Sequence, residues 1–115
     1  MRNRTVEVGE ILVTVSEATG LMGMRRQILR NEAFQPDAAD AKKMVPVYED
    51  EAMQVLRLIS YPDCAASLVS STGLPTPLTF EDFIELPDVL LERWATATYE
   101  LNPHWLELPS DEKKA

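Results

Sequence analysis

A mainly α fold with a small N-terminal β-hairpin, an α+β domain of about four to five helices, is predicted by three features of this sequence. Valines alternate between positions 4 and 15, apolar residues recur every third or fourth place between 87 and 101, and prolines and glycines punctuate the stretch between. At 115 residues with a hydrophobic fraction of 45%, the chain has room for one domain and one modest core. Residues 1–110 are expected to form that domain, with 111–115 as a frayed tail.

Residues 4–15 read as a hairpin turning at Gly9-Glu10, because a glycine-first pair suits a two-residue loop. That turn sets Val8 opposite Ile11, Val6 opposite Val13 and Arg4 opposite Val15. Side chains alternate across a strand, so Val6, Val8, Ile11, Val13 and Val15 share one face, with Leu12 the exception on the other. A lone hairpin is marginal in water, so this face must pack on helices or on the sheet of another chain.

Ser16 or Thr19 is placed to cap a first helix running to about Ala33. Its expected inward stripe is Leu21, Met24 and Ile28 with Leu29 beside them, leaving Arg25, Arg26 and Arg30 outside. Gly20 and Gly23 each weaken it by roughly 1 kcal/mol relative to Ala, so an irregular start is expected. Residues 35–47, with Pro36 and Pro46, read as a mobile connection.

A second helix is expected over Glu49–Ile59, burying Ala52, Val55, Leu56 and Ile59. Pro62 then opens a short helix to about Ser70, and the run from Ser70 to Pro77 forms a loop. Thr79 caps a further short helix, with Asp82 in the place where a capping box prefers Glu or Gln. Pro87 begins the longest helix, whose stripe is Leu90, Leu91, Trp94, Ala97 and Leu101 and whose stop is Asn102-Pro103.

The net charge of −8 argues against affinity for nucleic acid or an anionic membrane. The excess is uneven: residues 81–115 hold nine acids and three bases, a net of −6, which leaves −2 for the rest. Three arginines at 25, 26 and 30 in an acidic chain, with no helix-turn-helix pattern, read as an exposed helical face. One cysteine allows no internal disulfide, no secretory signal opens the chain, and no apolar run reaches membrane-spanning length, so a cytoplasmic protein is expected.

Reactive groups are sparse. Cys64 and His104 supply neither a metal-ligand set nor a nucleophile with its oriented base, and Cys64 sits in an apolar run that points to burial. His104 reads as a cap on the helix before it. Glu81, Asp82, Glu85 and Asp88 lie at helix starts, where carboxylates cap or are solvated. No phosphate-binding glycine pattern occurs. No catalytic residue, metal site or cofactor is expected, and the chain is expected not to be an enzyme.

What remains is apolar and aromatic surface for a partner. Trp and Tyr dominate interface hot spots. The expected contact residues are Trp94, Tyr99, Leu101, Trp105 and Leu108, with Val6, Val8 and Val13 of the hairpin face; of these Trp94 is expected in the core first, while Trp105 and Leu108 lie past the helix stop.

Three C-terminal stretches resemble the tail assembly chaperones of long-tailed bacteriophages: Phe80-Glu81-Asp82-Phe83; Leu86-Pro87 leading into Leu90-Leu91-Glu92-Arg93-Trp94; and Tyr99-Glu100-Leu101-Asn102-Pro103-His104-Trp105. The segment Ala18–Arg26 is similar to the early part of some of these proteins. The resemblance implies a small helical, self-associating, non-catalytic protein of the host cytoplasm. Such a protein coats the long tape measure protein before the tail tube polymerises, and the tail tube protein is a second possible partner. It also implies a longer frameshifted form, for which Lys113-Lys114 could mark a slippery codon run. Alternatives left open by the residues are an antitoxin, an acidic inhibitor that mimics DNA, and a structural tail or connector subunit of the virion.

Overall fold

A computed structural model describes residues 1–106, an α+β domain with a small antiparallel sheet on one side of a helical layer. Leu108, the 111–115 tail and its two lysines lie outside the described residues. Strands β1 (Asn3–Val8) and β2 (Ile11–Ser16) pair in the expected register, Val8 with Ile11, Val6 with Val13 and Arg4 with Val15. Gly9 takes φ +60° while Glu10 does not take positive φ, as a glycine-first turn requires. Across the solvent face the Thr5 and Thr14 hydroxyls meet at 3.0 Å.

Thr19 caps α1 (Gly20–Asn31), its side chain accepting from the Met22 N–H, and the helix runs regularly from Gly20. The expected connection at 35–47 is instead a two-stranded ribbon, β3 (Phe34–Pro36) paired with β4 (Met44–Pro46). Its tip is built by Asp37 and Asp40, whose carboxylates accept from the backbone of Ala39 and Lys42. The sequence pattern hides this ribbon because each strand has three residues and ends on a proline or pairs with one that does.

The expected break between two helices at Pro62 is not there. Asp50 caps α2 (Glu51–Val55), a π turn follows over Leu56–Ser60, and α3 (Tyr61–Ser67) continues it. Within a helix a proline removes one N–H and presses its ring on the carbonyl four residues back. The π turn, in which the Tyr61 N–H donates to Leu56 O, widens the backbone where that ring arrives. The helix also ends earlier than expected. Leu68 turns extended, and β5 (Leu68–Thr72) joins the open edge of β2 to give the order β1-β2-β5. Val69 is the extra residue of a bulge opposite Thr14 and Val15. Gly73, at φ +85°, packs so close to Glu10 O that a Cβ there would lie 3.1 Å away.

Thr79 and Asp82 form a reciprocal capping box on α4 (Phe80–Ile84): the Thr79 hydroxyl accepts from Asp82 N–H, and the Asp82 carboxylate accepts from Thr79 N–H. Helix α5 (Asp88–Leu101) then lies against β1 and β2, ending at Asn102 before a 3-10 turn over Pro103–Trp105. Its inward residues Leu90, Trp94, Ala97 and Leu101 meet the valine face of the hairpin in one core. Five rings run through that core in contact, Tyr48, Phe80, Tyr61, Phe83 and Trp94, with successive centroids 5.3–5.6 Å apart.

One buried amide holds the ends of the chain together. Asn102 donates from Nδ2 to Ser16 O and Thr98 O, at 3.1 and 3.2 Å, and accepts from Ala18 N–H at 2.7 Å. That bond to Thr98 O gives α5 the cap that the sequence assigns to His104, which is exposed and set edge-on to Trp105.

Candidate protein-binding surface

The first helix is turned the opposite way from its predicted orientation. Leu21, Met24 and Ile28, expected inside, are 61%, 64% and 55% exposed, and no residue of α1 is fully buried. Arg26, expected outside, reaches inward instead. Its Nε donates to the Asp63 carboxylate, its Nη2 donates to Trp105 O at 3.1 Å, and its guanidinium lies 4.9 Å from the centre of the Trp105 ring. Asp63 is 1% exposed and receives a second hydrogen bond from the Tyr99 hydroxyl. Burial, and then that bond to Asp63, push the Tyr99 hydroxyl above the usual tyrosine range.

The same reversal extends to the neighbouring helix. Val55 and Ile59, expected to be buried with Ala52, stand exposed along α2 and the π turn. Only Leu56 of that predicted stripe turns partly toward the core. Arg57 binds the helix down on its other side, with its guanidinium over the rings of Tyr61 and Phe80 and an ion pair to Glu32 at 3.2 Å. Leu106 is exposed beside Ile59 at the mouth of a recess of about 40 Å³ under Arg26 and Arg30. That volume suits a water molecule and is far below that of a small-molecule pocket.

The residues expected to touch a partner are mostly elsewhere. Val6, Val13, Trp94 and Leu101 are brought together, but inside the core of this chain. Trp105 is buried beneath Arg26, and Val8 and Tyr99 are half-buried. The expectation that these seven line an exposed contact surface is therefore replaced by a core and core-edge role. The physical reason is size: a chain this short needs its largest rings for its own interior. The valine face, which needed a cover, receives α5.

The surface that sequence reasoning missed is the apolar stripe of α1 with Val55 and Ile59. One signal for it does exist. Asp63 lies on a helix between Tyr61 and Cys64, and an acid in such an apolar run needs a buried base. Arg26 meets that need only if its side of α1 faces in. Cys64 is buried as expected, and burial pushes its thiol far above the usual range. Among the described residues no cluster of three metal-ligating side chains occurs, and no helix is long and apolar enough to cross a membrane. No protein-family model, curated protein or solved structure matches the chain.

Proposed function

We propose that this protein is a non-catalytic binding protein of the tail assembly chaperone kind, which masks apolar stretches of a tape measure protein while a phage tail is built. The observation that carries this reading is that α1 and the helix formed by α2 and the π turn both hold apolar side chains in solvent, Leu21, Met24 and Ile28 on the first and Val55 and Ile59 on the second. An apolar stripe held outward suits contact with another polypeptide. Met24 favours a range of client sequences because its side chain adapts its shape. The charge of −8 would keep a loaded complex soluble. The resemblance of residues 80–105 to that chaperone family supplies the identity of the client.

The test is co-expression of the chain with a phage tape measure protein, followed by pull-down. Co-purification that Met24→Ser and Ile28→Ser together abolish is the expected result. Absence of a complex would remove the reading. Mass spectrometry of finished particles separates it from a structural tail subunit, since a chaperone leaves before the particle is complete.

A further inference from the structure

We draw no further inference here: the strongest candidate, the outer edge of strand β5 (Leu68–Thr72), is short and bulged at Val69, and nothing in the structure shows what covers it.

Discussion

Helices α1 and α5 have nearly the same apolar repeat and face opposite ways. In α5 the residues at spacings of three and four, Leu90, Trp94, Ala97 and Leu101, close over the valines of the hairpin. In α1 the equivalent residues look into solvent while Met22, Arg26 and Leu29 look toward the body. The difference lies in what each helix carries on its other side. Turning the α1 stripe inward would recover about 3–5 kcal/mol, since Leu21, Met24 and Ile28 are 55–64% exposed and each is worth about 1.5–3 kcal/mol when fully buried, and part of that would be lost again by exposing the half-buried Met22 and Leu29. It would also strand Asp63 without its base, at about 3–5 kcal/mol, and leave Trp105 O without a donor, at about 1–3 kcal/mol more. The polar requirement wins. An apolar repeat identifies a face without saying which way that face points.

The largest effect that sharpens this contrast is truncation of the α5 stripe. Trp94→Ala should cost about 3–5 kcal/mol in urea unfolding, because it empties the centre of a fully buried ring cluster. Met24→Ala, at the matching place on α1, should cost under about 0.5 kcal/mol. Equal losses at the two sites would erase the contrast.

Next comes the pair that sets the orientation of α1. Arg26→Met should cost about 3 kcal/mol by leaving the Asp63 carboxylate buried without its partner, and adding Asp63→Asn should restore part of that loss. Failure of the second change to restore stability would mean that the pair does not act as a unit. The doubly changed protein is also the one in which α1 is freest to roll, so it should bind less of a hydrophobic dye such as ANS than Asp63→Asn alone.

A smaller effect appears at alkaline pH. The hydroxyl of Tyr99 is raised in the fold, first by burial and then by its bond to Asp63, so the folded state favours its protonated form. Its contribution to stability is complete below the unfolded tyrosine pKa of about 10 and is lost as pH rises from there toward the folded value. Tyr61 shifts in the same direction, also through burial. Denaturation curves taken between about pH 9 and 11 should therefore show falling stability, and Tyr99→Phe should make that fall shallower. A fall as steep in Tyr99→Phe as in the unaltered chain would assign it to other groups.

Much of the fold was legible because it rests on local rules. The hairpin register followed from Gly9 and the valine alternation, the caps at Thr19 and Thr79 from their side-chain chemistry, and the end of α5 from Asn102-Pro103. What was not legible rests on pairings distant in sequence. Strand β5 is five residues of Leu, Val, Ser and Thr that become a strand because β2 offers an open edge. The helix across Pro62 continues because a π turn makes room for the ring. The candidate site was missed for the same kind of reason, since the facing of α1 is decided by Asp63, thirty-seven residues beyond Arg26. The exposed patch on α1 is where the local apolar pattern and the packing of the whole chain disagree.

The amide of Asn102 gives the fold a timetable. Val6 and Val13 lack the α5 part of their cover until Trp94 and Ala97 exist, and the loop at 16–18 lacks its Asn102 bonds until residue 102 has been added. At ribosomal speeds of about 5–20 residues per second, roughly 4–16 seconds therefore separate synthesis of the hairpin from synthesis of the helix that completes the cover of its valine face. During that interval the nascent chain itself is the kind of sticky polypeptide that cells must guard, so early termination upstream of α5 should yield fragments that clump or are degraded while the whole chain accumulates.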